Sequence, residues 1–186
     1  MRTTKLLFIA LLLMLFACGE ADYEYSSYHM HFVYDNSIHL DPTLASAMNA
    51  QSPGTFCHIW KSGDNHIYFA DHSNEPTKQP LSATERMNSY IIGVYNESGI
   101  IVGFGNLDNP PLFFAYDAQC PNCYAGSKLP RYQLTIDSSG KATCKQCNRQ
   151  YDLNSRGIVV KGDKGKKLER YHADTSGPNG VLTVNN

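Results

Sequence analysis

Four cysteines fall into two pairs, Cys120-Pro-Asn-Cys123 and Cys144-Lys-Gln-Cys147, with twenty residues between them. A Cys-x2-Cys pair repeated in this way reads as a metal site. Two thiolates three positions apart on a tight turn can point at one centre, and a hairpin can bring two such turns together. Zinc takes four sulfurs in a tetrahedron at about 2.3 Å, and its uptake releases thiol protons and couples binding to folding. The same four sulfurs suit iron, as a [2Fe–2S] cluster or a single ion. Disulfides are the third chemistry open to them in an oxidising compartment. Asn148, directly after Cys147, tolerates the left-handed backbone that such turns often demand.

Other residues with chemical potential carry less. Cys57 lies in the strand-like stretch Phe56-Cys57-His58-Ile59-Trp60 and reads as a small buried residue. Its neighbour His58 points to the opposite strand face, so the two make no dyad. His29 and His31 share a strand face, an incidental pairing beside the start of the body. No nucleophile–base or carboxylate pair stands out by spacing, and no catalytic residue is assigned. The basic run Lys161, Lys164, Lys166, Lys167 and Arg170 is interleaved with Asp163 and Glu169 and reads as a solvated hairpin.

Strands must position the four sulfurs. Residues 133–137 and 141–144 flank Ser138-Ser139-Gly140, a hairpin by turn chemistry. Residues 168–173 and 181–184 flank Gly177-Pro178-Asn179-Gly180, a second hairpin. Upstream, Tyr28, Met30, Phe32 and Tyr34 share one face at period two. Asp41-Pro42 is a helix N-cap followed by proline at the first helical position, opening one or two turns over 43–48. Short apolar runs then follow at 55–60, 66–70, 90–95, 100–105 and 112–116, separated by turn formers. Residues 71–88, with Pro76 and Pro80, read as a surface loop. Many short strands with almost no helix indicate an all-β sandwich or small barrel.

Bulk properties agree. The chain has 186 residues, 42% hydrophobic and 18% charged, with 12 tyrosines, enough for one packed, strand-rich domain. Arg2 and Lys5, an apolar run from Leu6 to Phe16, and Ala17-Cys18 form a secretory leader. Its eleven apolar residues are too few for a membrane-spanning helix, which needs about 20. Without the leader the chain keeps 14 basic and 17 acidic residues, a net charge of −3. That balance disfavours nucleic acid, which calls for a basic footprint.

Leu15-Phe16-Ala17-Cys18 resembles the lipobox of bacterial lipoproteins. The resemblance implies cleavage before Cys18, lipid attachment at Cys18, and stable anchoring by several acyl chains. Glu20, Asp22 and Glu24 in the following tether resemble a surface-export signal of Bacteroidetes lipoproteins.

From about Asn109 onward the chain resembles a Rieske domain. Leu112-Phe-Phe-Ala-Tyr-Asp-Ala-Gln-Cys120-Pro121 is similar to the strand entering that family's first ligand loop. Cys144-Lys-Gln-Cys147-Asn-Arg-Gln-Tyr151-Asp152-Leu153 resembles the second ligand loop and the strand after it. Arg156-Gly-Ile-Val-Val-Lys161-Gly162 and Leu168-Glu-Arg-Tyr171 are similar to the closing strands. Such a domain would hold iron with two histidines. Here Asn122 stands at the first histidine position and Cys147 at the second, and no histidine occurs between His72 and His172. The family's proline-containing loop falls near Gly162-Asp163-Lys164-Gly165, which carries no proline.

The expected organisation is a signal peptide at 1–17, a tether and first strand at 18–35, and a Rieske-like β-sandwich at 36–186. A zinc-ribbon-like metal-binding subdomain is expected at about 117–155. The expected function is that of a non-catalytic lipoprotein, membrane-anchored in the cell envelope on the periplasmic or cell-surface face of the outer membrane. Its structural zinc would sit on Cys120, Cys123, Cys144 and Cys147. The alternative is an electron-transfer protein with a [2Fe–2S] cluster or single iron on the same sulfurs.

Overall fold

The computed structural model describes residues 23–63, 65–94, 98–129 and 131–186. Cys18 and the leader lie outside the described residues. The fold is mostly β, as expected, with twelve strands among the described residues. They are β1 (His31–Asp35), β2 (Phe56–Ser62), β3 (His66–Ala70), β4 (Thr77–Pro80), β5 (Ile100–Phe104) and β6 (Phe113–Asp117). The second half adds β7 (Leu134–Ile136), β8 (Lys141–Cys144), β9 (Gln150–Asp152), β10 (Ile158–Lys161), β11 (Arg170–Thr175) and β12 (Val181–Asn185).

Eight strands form one antiparallel sheet in the order β1-β12-β11-β6-β5-β2-β3-β4. The sheet curls, because the Tyr34 ring near one edge lies 5.3 Å from the Phe69 ring on β3 near the other. The concave face holds the larger core. Met30, Phe32 and Tyr34 enter it at period two, joined by Ile59, Phe69, Val102, Tyr171 and Leu182. The remaining four strands form a separate sheet, β10-β9-β8-β7, carrying the second half of the cysteine pattern.

Between the two sheets lies a second core. β6 serves both layers by strand alternation: Ala115 faces the concave core, whereas Phe114 and Tyr116 face the smaller sheet. Ile101 and Phe56 extend that outer face, and Leu134, Ala142, Tyr151 and Leu153 meet it from the smaller sheet. Burying a side chain of the Phe or Ile class contributes roughly 1.5–3 kcal/mol, so this contact is what seats the cysteine-bearing sheet. The Tyr116 hydroxyl locks it by donating to the Leu153 carbonyl at 2.9 Å.

Short helices fill the connections. Asp41 caps the helix Pro42–Ala47, its carboxylate accepting the Thr43 and Leu44 N–H groups at 3.0 Å each. The second Asp41 oxygen accepts from Thr77 at 2.7 Å and Gln79 at 3.2 Å, tying this helix to β4. The stretch expected to be a surface loop instead contains β4 and the helix Ala83–Met87. Ser82 and Glu85 close a capping box on that helix. Pro80 is compatible with β4 because it ends an edge strand. Of the apolar run 90–95, the described part makes only an isolated bridge, Ile91 to His31.

Candidate metal centre

The first cysteine pair follows β6. Cys120 is the N-cap of the helix Pro121–Ser127, with proline at its first position, and Cys123 lies in its first turn. The sequence reading placed this pair on a tight turn; it opens a seven-residue helix. An N-cap side chain ordinarily bonds a backbone N–H of the first turn. The Cys120 sulfur makes no such bond and turns inward instead.

The second pair sits on the turn between β8 and β9. Cys144 ends β8, its N–H bonded to the Arg149 carbonyl at 3.0 Å, and the Asn148 N–H returns to the Cys144 carbonyl at 2.9 Å. That closure requires a left-handed residue, and Asn148 takes φ 56°. The expectation drawn from Asn148 is met.

The four sulfurs meet, as the spacing anticipates. Their Sγ atoms all lie within 4.8 Å of one another, forming a group that could hold a metal ion. Cys120 and Cys147 stand 3.8 Å apart, and so do Cys123 and Cys144. Four sulfurs about 2.3 Å from a common centre have tetrahedral edges of about 3.8 Å. The donor set therefore fits one four-coordinate ion. A two-iron cluster would hold its thiolate pairs at opposite ends, wider than one tetrahedral edge. Cys120 and Cys144 are buried, while Cys123 and Cys147 are half-buried at the rim.

Electrostatics differ among the thiols. Burial and the neighbouring sulfurs push Cys123 upward. Cys144 also rises through burial, against backbone N–H groups of Cys147 and Gln146 directed at its sulfur. For Cys147 burial acts upward too, but the backbone N–H and side chain of Arg149 outweigh it and bring the thiol down to about 7. Donors aimed at sulfur favour the thiolate form that a metal needs.

Spacing did not reveal the support around these sulfurs. The Tyr151 hydroxyl lies 3.2 Å from Cys120 Sγ and accepts from Asn122 Nδ2 at 2.9 Å. Asn122 also donates to the Lys166 carbonyl and accepts from the Lys166 N–H, both at 2.9 Å. Arg149 donates to the Asp163 and Lys164 carbonyls at 3.0 and 3.3 Å. Residues 163–166 thus form a third loop fastened beside the cysteines. At Gly165 a Cβ would collide with the Asn122 Oδ1 atom, so a larger residue there would push the amide out of its grip. The lysine side chains of the loop point to solvent, but its backbone is held.

Cys57, His58, His29 and His31 all fall elsewhere. Cys57 is fully buried in the concave core, and burial raises its thiol well above the usual range. His58 lies on the other face, lowered to about 4 by burial, with its ring 3.2 Å from the Ser98 carbonyl. His29 and His31 are exposed and belong to no metal-capable group among the described residues.

A buried carboxylate lies just ahead of the first cysteine pair. Asp117 accepts from Val94 N–H at 2.7 Å and the Tyr171 hydroxyl at 2.8 Å on one oxygen. Its other oxygen takes the Ser98 hydroxyl at 2.9 Å and the Gln119 N–H at 2.7 Å. Burial nevertheless raises its pKa to about 6. No sequence signal marks this hub, because three of its four partners, Val94, Ser98 and Tyr171, come from distant segments.

No protein-family model, curated protein or solved structure matches this chain.

Proposed function

We propose that this chain is a non-catalytic, lipid-anchored envelope protein with a Rieske-like arrangement, in which Cys120, Cys123, Cys144 and Cys147 hold one structural zinc ion. The observation that carries the zinc site is the four-sulfur group, whose two 3.8 Å edges match a single tetrahedron. Four thiolates complete the coordination of zinc and leave no open position for water or substrate. The ion would therefore fasten the helix Pro121–Ser127 to the β8–β9 turn and act as a cross-link. The anchor rests on the leader and Cys18 in the sequence, and its consequence is work by contact or assembly at a membrane surface. The Rieske-like reading draws on the order of parts: cysteine pair after β6, cysteine pair after β8, and a third loop beside both.

A second reading is an electron carrier with iron on the same sulfurs. It draws on the Tyr151 hydroxyl beside Cys120 and the backbone donors on Cys144, since hydrogen bonds to sulfur tune reduction potentials. The compact sulfur group favours a single iron over a two-iron cluster for that role. Optical spectra and elemental analysis of anaerobically purified protein separate the readings. A colourless protein with one zinc per chain supports the structural site. A red or brown protein carrying iron supports the electron carrier.

A further inference from the structure

The four cysteines are not equivalent, and their differences sort by pair. The two sulfur pairs at 3.8 Å both cross between the cysteine-bearing segments, joining residues 27 and 21 positions apart. Each crossed pair unites one buried thiol with one at the rim: Cys120 with Cys147, and Cys144 with Cys123. We propose that Cys147 and Cys123 are oxidant-accepting thiols, that Cys120 and Cys144 are their resolving partners, and that peroxide converts the site into two crossed disulfides.

The chemistry follows from that pairing. The rim thiolate attacks one oxygen of hydrogen peroxide, the O–O bond breaks, and with one proton from solvent a sulfenic acid and water result. The buried thiolate 3.8 Å away then attacks that sulfur. An S–S bond forms, the S–O bond breaks, and a second proton carries the oxygen away as water. Two peroxides thus accept four electrons from the four thiolates and consume four protons. The sulfurs, now neutral, no longer hold a cation, and zinc leaves as Zn2+.

The crossed pattern has a structural consequence. Bridges within each Cys-x2-Cys pair would leave the helix Pro121–Ser127 and the β8–β9 turn unconnected once the metal is lost. Crossed bridges keep the two segments joined, so one cross-link replaces another.

The inference rests on the zinc reading for the reduced state, and peptide mapping separates the two. Metal content is measured first on the reduced full-length protein. Zinc release to a chromogenic chelator is then followed during peroxide titration, and the product is digested with trypsin without reduction. Cys120 and Cys123 fall in the peptide 87–128, Cys144 in 142–145 and Cys147 in 146–149. The expected product is one species joining all three peptides, with fragmentation placing Cys120 on Cys147 and Cys123 on Cys144. One zinc should be released per two peroxides. An internally bridged 87–128 peptide beside a linked 142–145/146–149 pair would overturn the proposal, as would the opposite crossing or absence of bridges. Crossed bridges in a protein that held no zinc at the outset would uphold the pairing and overturn the zinc reading alone.

Discussion

Asn122 grips the backbone of Lys166 with both ends of its amide, donating to the carbonyl and accepting from the N–H at 2.9 Å each. The residue between the first two cysteines thereby holds a loop 44 positions away. The same amide supports the Tyr151 hydroxyl that lies beside the Cys120 sulfur. One side chain couples the third loop to the cysteine group.

Asn122→Ala removes these bonds without touching a sulfur. Each neutral hydrogen bond contributes about 0.5–1.5 kcal/mol, so residues 163–167 should open locally while the large sheet stays folded. Removal of outer support typically costs 10–100-fold in metal affinity, so zinc transfer to a competing chelator should quicken by roughly tenfold. Hydrogen exchange and chelator kinetics check both. Unchanged exchange in 163–167 would show the grip to be inconsequential.

Cys147→Ser tests the cross-link itself. Loss of one of four thiolates should loosen residues 117–155 and leave β1, β2, β3 and β5 protected, since those strands pack into the separate concave core. Hydrogen exchange reads this directly. Uniform protection in the variant would remove the structural role assigned to the site.

Asp117 sets an expected pH dependence. Its pKa is raised by burial to about 6 from an ordinary 3.8. The protonated group is held at no electrostatic cost below the unfolded value, and the Ser98 and Tyr171 hydroxyls can reverse to accept its proton. As pH rises through about 6 the folded chain must keep a buried anion, so stability from this group is lost, on the order of 3 kcal/mol in all. Asp117→Asn should abolish that slope. It should also cost about 1–3 kcal/mol at low pH, because the Val94 and Gln119 N–H groups face different oxygens and an amide, with one accepting oxygen, leaves one of them opposite an NH2 group. Denaturant midpoints of wild type and variant from pH 4 to 7 give the difference, in which metal effects common to both cancel.

The anchor has an independent test. Cys18→Ala should leave the precursor without lipid, so labelled palmitate enters wild type and not the variant. Equal labelling of the two would refute lipid attachment at Cys18.

Local signals were legible in the sequence. Period-two tyrosines and Met30 gave the concave face of β1. The Asp41-Pro42 start gave the helix Pro42–Ala47, and turn residues gave the β7–β8 and β11–β12 hairpins. Even spacing of cysteines anticipated four convergent sulfurs. Short-range cues mislead where they conflict. Pro76 and Pro80 masked β4, although Ser82-Ala-Thr-Glu85 carried a capping-box pattern. The helix at Pro121 was hidden because a Cys-x2-Cys unit suggests a turn. Contacts over long separations left no local trace: Asn122 on Lys166, Val94 on Asp117, and Tyr116 on Leu153.

X-ray absorption at the zinc edge of the reduced, full-length protein bears most directly on the central claim. Four sulfur neighbours at about 2.3 Å and no nitrogen or oxygen in the coordination sphere are the expected result. A mixed sulfur and nitrogen or oxygen sphere, or fewer than four sulfurs, would contradict convergence of Cys120, Cys123, Cys144 and Cys147 on a single ion.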